Sequence, residues 1–520
     1  MAWPAFDADH VMVSSEEMME LEKKIFLKGF PNSALMEKVG QAMAKWLLFK
    51  PEKLYNGVLV VVGPGHNGGD GLVVARELHL AGVSVRVWCP LQIKKKLTSQ
   101  HFSYIDWLGI ESVQSTPDIN DKALWIDALF GLGQSRSLPF SLGKVFIERQ
   151  RNRPGELVSL DIPSGLSSDS GLPFAGGTAT ASFTLTVGLF KKGLVQDLAM
   201  PYVGQIERID IGLPVNTFHD FFIDKPLRIN SSDIETVPVQ RPLPFEAKYK
   251  RGKTLLITGS VKYPGAAHIC MRGALASGNG SSHAILPDFI ARNIWKKFPE
   301  ILIEGQLKSN EKSLFPKDGL LISKDIDNFD SILIGPGLGR AEEDWSASAN
   351  DFIGFKGLLI LDADALNRIS SCKDGWHWLA KRKSPTWLTP HHGEFKRLFP
   401  SINLSSPIEA VVEASRMTGA YILLKGANTV IASPAGQIWQ LGETAPWVAR
   451  AGLGDLLSGF LAGLGAISIA SLNKVPPEQL AVGAFLHSQA GLRCKKGSSA
   501  TVIADELQKI TTELNSKMSF

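Results

Sequence analysis

The chain has 520 residues, 44% of them hydrophobic and 20% charged, with 55 Lys and Arg against 51 Asp and Glu for a net charge of +4. That length exceeds what a single core organises, so two large domains are expected, and the near balance of charge argues against a nucleic-acid partner. The 4 cysteines, Cys89, Cys270, Cys372 and Cys494, are scattered and form no C-x-x-C pair, which argues against a disulfide framework or a zinc site and for a reducing compartment.

In chain order, the opening MAWPAFDADH carries acids and a proline where a signal peptide needs basic and then apolar residues. Up to about residue 212, short β-branched runs alternate with helical stretches. The predicted strands are VLVVV (58–62), VSVRVW (83–88), ALWID (123–127), LVSLD (157–161) and FTLTV (183–187), with amphipathic segments such as 33–48 between them. This alternation predicts a layered α/β fold on a mostly parallel sheet. From 213 to 247 the pattern lapses, and the last third of that stretch is rich in proline, so it reads as a linker. Alternation then resumes with KTLLIT (253–258), SILIG (331–335), GLLILD (357–362), PTWLT (385–389) and AYILLK (420–425), followed by long helical segments. The longest apolar stretch, Gly459 to Leu472, reads as too short and too glycine-rich to span a bilayer. A cytoplasmic protein with no membrane partner is expected.

The first chemically informative motif is GPGHNGGDG, Gly63 to Gly71, between VLVVV and the helical LVVARELHLAG. Gly63-x-Gly65-x-x-Gly68 has the form of a dinucleotide fingerprint. That fingerprint demands an acid at the end of the following strand to bind the ribose, and the next strand ends VRVWCPLQ. A dinucleotide held as a conventional redox cofactor therefore does not fit. The helix is expected to open at Gly69-Asp70, with Asp70 available as a plain helix cap. The glycines read equally as a tight strand–helix turn or as a cradle for an anion. Two further strand ends add weight to the cradle. DALFGLGQSR places Asp127 ahead of the loop 131–136, and DIPSGLSSDSG places Asp161 ahead of Pro163, Ser164 and Gly165. In open parallel sheets, ligands bind beyond the carboxyl ends of strands.

GPGHNGGDGLVVAREL, DALFGLGQSR, DIPSGLSSDSG and LFKKGL (189–194), in this order, resemble the NAD(P)H-hydrate epimerase domain over about residues 10 to 212. The resemblance implies a Rossmann-like three-layer α/β/α domain that takes hydrated NAD(P)H as substrate and interconverts its epimers. It implies a potassium ion held by Asn67, Asp127 and Ser164, and Asp161 as the acid/base group against the reacting ring. His66, Asn67, Gly68, Gly69 and Asp70, with Gly131, Leu132, Gly133, Gln134, Ser135 and Arg136, would hold the rest of the substrate. His66 stands where many members have Asn, and Lys192 where the family often has Pro, with Lys191 at the usual position.

The second half carries ILIGPGLGR (332–340), LTPHHGEF (388–395), LLKGANTVIA (423–432) and ARAGLGDLLSGF (449–460). Glycines ahead of a helix N-terminus expose N–H groups to an anion, and the helix dipole favours negative charge there. Asp455 at that point is placed to take a proton from a hydroxyl, or is a plain N-cap. His391 reads equally as a site residue or as a structural cap for a helix starting near Gly393, and Glu394 equally as a site acid or a solvated one.

With GSVKYPGAAHI (259–269) and LDADALN (361–367), these motifs resemble the ADP-dependent NAD(P)H-hydrate dehydratase domain of the ribokinase-like superfamily, over roughly residues 245 to 510. The resemblance implies that Lys425, Gly426, Ala427, Asn428, Thr429 and Gly454 hold the nucleotide. Ala266, Gly337, His391 and Asp455 would contact the hydrate, with Asp455 as base. ADP is the implied co-substrate and Mg2+ its companion.

The implied whole is an α/β protein of two domains. An N-terminal Rossmann-like epimerase spans 1–225, and a C-terminal ribokinase-like α/β dehydratase spans 226–520, with the boundary within 213–247. Together they resemble the bifunctional NAD(P)H-hydrate repair enzymes, with small-molecule substrates and assembly as a homo-oligomer. A ribokinase-like vitamin or sugar kinase with an N-terminal ligand-sensing domain is the alternative.

Overall fold

The computed structural model describes residues 3–239, 247–307, 326–339, 352–443 and 445–516. Residues 240–246 of the expected linker, and Arg340 of ILIGPGLGR, lie outside the described residues. The chain forms two compact units, Phe6–Lys225 and Pro226–Phe520, the second taking in the segment up to Ala5. The first domain thus begins at Phe6 instead of residue 1. Trp3 explains the difference: its ring lies 5.6 Å from that of Phe485, and its carbonyl accepts Trp439 Nε1 at 3.2 Å.

In the first unit the strands are β1 Met12–Val13, β2 Val58–Val62, β3 Val85–Trp88, β4 Glu111–Val113, β5 Leu124–Ala128, β6 Leu157–Leu160, β7 Phe183–Val187, β8 Phe190–Lys191 and β9 Gln205–Ile209. Seven of them form a sheet in the order β4-β3-β2-β5-β6-β7-β9, and β1 pairs with β8. Every pairing is parallel. All five residues of β2 are buried, as both faces of a parallel sheet require. Leu59 and Val61 pack in one cluster with Trp125, Leu142 and Phe146, which places the Phe140–Asn152 helix on that face. On the other face a Cβ at Gly71, in the His66–Leu80 helix, would lie 3.3 Å from Val60 Cγ1. Side chains alternate along a strand, so the sheet is covered on both sides in three layers. The order runs outward from β2 one way and from β5 the other, which makes the β2/β5 gap a topological switch point. The weakly patterned edge strands β4 and β9 carry no clear signal in the sequence.

In the second unit the strands are β10 Leu227–Ile229, β11 Lys253–Ile257, β12 Ser281–Pro287, β13 Ile301–Leu307, β14 Ser331–Ile334, β15 Leu358–Leu361, β16 Thr386–Leu388, β17 Tyr421–Leu424, β18 Val430–Ala432 and β19 Ile438–Leu441. They form one sheet in the order β10-β19-β18-β17-β16-β15-β14-β11-β12-β13. Only the β17/β18 and β18/β19 pairings are antiparallel among the described strands. The switch point lies between β11 and β14.

Two expectations need correction here. The supposed linker is partly built into the fold: β10 pairs in parallel with β19, and Ser231–Glu235 forms a capped 3-10 turn. Three residues are too few for a period to register. The apolar stretch is part of a 20-residue helix, Leu453–Leu472, long and apolar enough to cross a membrane. It is a core helix nonetheless, with 13 buried residues from Leu456 to Ser468. Its glycines serve close packing: a Cβ at Gly459 would lie 2.0 Å from the Cys270 carbonyl, in the Pro264–Ala276 helix alongside.

Candidate active sites

The first site gathers at the β2/β5 switch point. A Cβ at Gly63 would fall 1.6 Å from the Leu129 carbonyl, so only glycine lets the β2 turn lie against the end of β5. Gly68 and Gly69 are buried and turned inward, against the Gly63 carbonyl and Met36. What they can offer a ligand is backbone N–H. The helix begins at His66, with Gly65 as a cap that has no side chain. Its first-turn N–H groups are therefore left to an outside acceptor. This corrects the expected start at Gly69-Asp70. Asp70 sits in the second turn, where burial, then the Asp161 and Glu22 charges, hold its carboxyl well above the usual carboxylate range. His66 is pulled below the ordinary histidine range by burial and by Lys95.

Asp161 follows β6 and is buried at 8% exposure. It adopts φ +66°, a left-handed conformation unusual for a residue with a side chain. Its Oδ1 accepts Lys191 Nζ at 2.7 Å and Val187 N at 3.3 Å, and its Oδ2 accepts Leu132 N at 3.0 Å. Gly131 lies against both this carboxylate and Asn67: a Cβ there would sit 3.0 Å from Asp161 Oδ2 and 3.2 Å from Asn67 Cγ. Gln134 Oε1 accepts Gly165 N at 2.8 Å, tying the 131–136 loop to the turn after β6. Gly133, Ser135 and Arg136 are exposed on that loop.

Asp127 is fully buried, and burial raises its carboxyl against the hydrogen bonds it accepts. Those bonds come from Ser164 Oγ at 2.7 Å, Ser164 N at 2.8 Å, Ser159 Oγ at 3.0 Å and Leu129 N at 3.2 Å. All are neutral donors. Asn67 Nδ2 donates to the Leu160 carbonyl at 3.2 Å, which leaves its buried Oδ1 without a partner. An orphaned amide oxygen and a buried carboxylate served by neutral donors suit a hard cation with oxygen ligands.

In the second unit, the ends of β11, β14, β15, β16 and β17 face one crevice. Gly337, at φ +69°, abuts Ala266: a Cβ on it would lie 2.6 Å from Ala266 Cβ. His391 caps the His392–Leu398 helix, its Nδ1 accepting Gly393 N at 2.9 Å. Glu394 is buried instead of solvated, because its carboxylate closes the capping box on His391 N at 2.9 Å. Lys425 Nζ pairs with Asp362 Oδ1 at 2.5 Å and lies 3.3 Å from where a Cβ on Gly454 would be. Gly452, in the left-handed region, caps the Leu453–Leu472 helix, so Asp455 stands in the first turn and not at the cap. Burial, then the Asp362 charge, pushes the Asp455 carboxyl up to about 6. A cavity of roughly 550 Å³ is lined by Lys425, Gly426, Ala427, Thr429, Gly454 and His391, with apolar walls including Leu457 and Ile503. Asn428 lies on the same loop.

Residues 254–513 match the family described as NAD(P)H-hydrate dehydratase, and residues 32–193 match the YjeF-related protein N-terminus. The chain is 38% identical over 486 residues to the bifunctional NAD(P)H-hydrate repair enzyme Nnr of Synechocystis sp., spanning 92% of this chain and 90% of that one. The chain belongs to the bifunctional NAD(P)H-hydrate repair enzymes. The Nnr enzyme of Gloeobacter violaceus is 37% identical over 488 residues, with 92% of each chain covered. A solved ADP/ATP-dependent NAD(P)H-hydrate dehydratase from Bacillus subtilis, co-crystallised with ATP/Mg2+, is 24% identical with a TM-score of 0.43, covering 55% of this chain and 97% of that one.

For a member of this family, four groups at the sites carry no assignment from sequence. Lys191 is 1% exposed and holds Asp161. Glu22 is raised to about 7 by burial, with Lys191 and Asp161 acting on it in opposite directions. Asp362 holds Lys425. His487, in the cavity wall, is pulled down to about 4 by burial and the Lys425 charge. Only Lys191 and Asp362 sit inside quotable motifs. Lys192, the departure from the usual Pro, pairs with Glu17 at 3.2 Å.

Proposed function

We infer that the chain repairs hydrated NAD(P)H, with epimerisation in the first domain and nucleotide-dependent dehydration of the S hydrate in the second. The observation that carries this reading is that each motif set lies at the carboxyl ends of parallel strands and includes a carboxylate–lysine pair, Asp161 with Lys191 in the first domain and Asp362 with Lys425 in the second.

In the first domain, Asp161 would serve as the acid/base group: it would protonate the hydroxyl as its bond to the ring carbon breaks, and take a proton from the water that adds back on the opposite face. Lys191 Nζ, Val187 N and Leu132 N fix its orientation. The open first turn at His66 and the exposed loop at 133–136 would take the phosphates and sugars. Asn67, Asp127 and Ser164 would hold a potassium ion, whose charge would neutralise Asp127.

In the second domain, Asp455 would accept the proton as the hydrate's hydroxyl attacks the β-phosphorus of ADP and AMP departs. The phosphate ester then loses phosphate from carbon, and loss of the neighbouring ring proton restores the double bond of NAD(P)H. Hydroxide has become phosphate as leaving group, and the rest is positioning and charge stabilisation. Lys425 and the first turn of the Leu453–Leu472 helix supply that stabilisation. Among the described residues no three His, Cys, Asp or Glu side chains converge on a metal. A magnesium ion accompanying the nucleotide would supply further charge stabilisation to the phosphates.

The test is to mix purified protein with a racemic NADPH hydrate and ADP, and to follow the absorbance of restored NADPH. Full conversion is expected, with AMP and phosphate as products. Conversion stopping at half would remove the epimerase reading, and a stable phosphorylated product would mark a kinase instead.

A further inference from the structure

The ion pair between Asp362 and Lys425 demands more than nucleotide binding does. Asp362 is 1% exposed, and its Oδ2 is buried without a hydrogen-bond partner. The backbone fixes it from both sides. Ala363, next in the chain, is held at φ +49°, and a Cβ on Gly335 would fall 1.7 Å from the Asp362 carbonyl. A left-handed non-glycine residue persists only where its surroundings over-determine it. Lys425 Nζ is thus gripped at 2.5 Å on one side and faces Gly454, in the first turn of the Leu453–Leu472 helix, on the other. A lysine needed only to attract phosphate gains nothing from a buried anion beside it, because that anion also repels phosphate.

We propose that Asp362 is a positioning residue for dehydration: it pins Lys425 where the phosphoryl group arrives in the transition state, and in doing so weakens the resting hold on the nucleotide. This is differential binding, in which an interaction serves the transition state more than the ground state. The inference rests on the dehydratase reading of this domain. The same carboxylate acts on Asp455. Asp362 and Asp364 face Asp455 from the end of β15, Lys425 from the end of β17, and the Cys270 thiol from the Pro264–Ala276 helix. Of the charges acting on Asp455, that of Asp362 is the strongest, and it disfavours ionisation.

The experiment compares wild type, Asp362→Asn and Asp362→Glu by calorimetric titration with ADP alone and by dehydration rates across pH. Asp362→Asn is expected to bind ADP about three- to tenfold more tightly, since a buried negative charge is gone. Its kcat is expected to fall about ten- to a hundredfold as Lys425 loses its fixed geometry, and the acid limb of kcat/KM to move to lower pH. Asp362→Glu keeps the charge on a longer arm, so ADP affinity and the acid limb stay put while kcat falls. An unchanged kcat in Asp362→Asn, or ADP binding that weakens in step with kcat, overturns the proposal. If Asp362→Asn does not fold, Asp362→Glu decides alone: a kcat loss at wild-type ADP affinity supports the proposal, and parallel losses sink it. A wild type that binds ADP without dehydrating the hydrate would instead overturn the dehydratase reading, and the sign of the ADP effect would still test Asp362.

Discussion

Lys191 Nζ lies 2.7 Å from Asp161 Oδ1, with the lysine only 1% exposed. Removing one member of such a pair strands a buried charge, at a cost of about 3–5 kcal/mol. Lys191→Met is therefore expected to lower the melting temperature markedly. Asp161→Asn keeps the shape but leaves the Lys191 charge without its counter-ion, so it too should melt earlier, and it removes the proposed base. It should slow epimer exchange about 10²–10⁴-fold while the S hydrate is still dehydrated. Chromatography of the two epimers without nucleotide checks the first, and restored NADPH absorbance from pure S hydrate checks the second. Unchanged exchange in Asp161→Asn would remove it from the acid/base role.

Replacing potassium by lithium or choline should lower the melting temperature, because an ion that binds only the folded state stabilises it. Asn67→Ala is expected to abolish that potassium-dependent shift, since Asn67 Oδ1 is the buried oxygen left without a partner. Thermal melts of both proteins in each salt measure this without any turnover. An equal shift in wild type and variant would take Asn67 out of the ion site.

The strands that reached the sequence reading are the buried parallel ones at the centre of each sheet. VLVVV and SILI are apolar on both faces and end in glycine. Residues at their carboxyl ends, such as Asp127, Asp161 and Lys425, were legible because position along such a strand predicts position in the crevice. The rest depends on contacts that no local period encodes. Asp70 looks like a cap only if the helix starts five residues late; Gly68, packed on Gly63, already lies inside its first turn. Glu22 comes from a helix, Ser15–Leu27, ahead of every quoted motif, and meets the site only in three dimensions. Glu394 resembles a surface acid until the His391 cap turns it inward.

Glu17 gives the first domain an acid-sensitive clamp. Against the cost of its burial, the Lys225 hydrogen bond at 2.8 Å, the Ser14 amide and the Lys192 charge hold it down to about 2, from an ordinary 4.5. A depressed carboxylate stabilises the fold above its unfolded value and loses that contribution as pH falls through the folded one. The window here runs from about 4.5 down to about 2. Because the group is partly solvated, the contribution is taken as about 1–2 kcal/mol. Glu17→Gln should melt earlier at neutral pH, and its deficit relative to wild type should shrink as pH falls through that window. A deficit that stays constant with pH would mean the clamp is not electrostatic.

As the proposed base, Asp455 would set the pH dependence of the second reaction. A general base must be ionised to work, and burial with the Asp362 charge places this one at about 6. At pH 5 only about a tenth of the free enzyme then carries the base form, whereas an ordinary carboxylate would be almost fully ionised there. Dehydration kcat/KM, which reports the free enzyme, should therefore rise about tenfold from pH 5 toward 7 and then level. Asp455→Asn should abolish dehydration at every pH and leave epimer exchange in the first domain intact. The two assays on one preparation separate a lost base from a lost fold. A profile flat down to pH 5 in the wild type would mean that Asp455 is not the group whose ionisation limits the reaction.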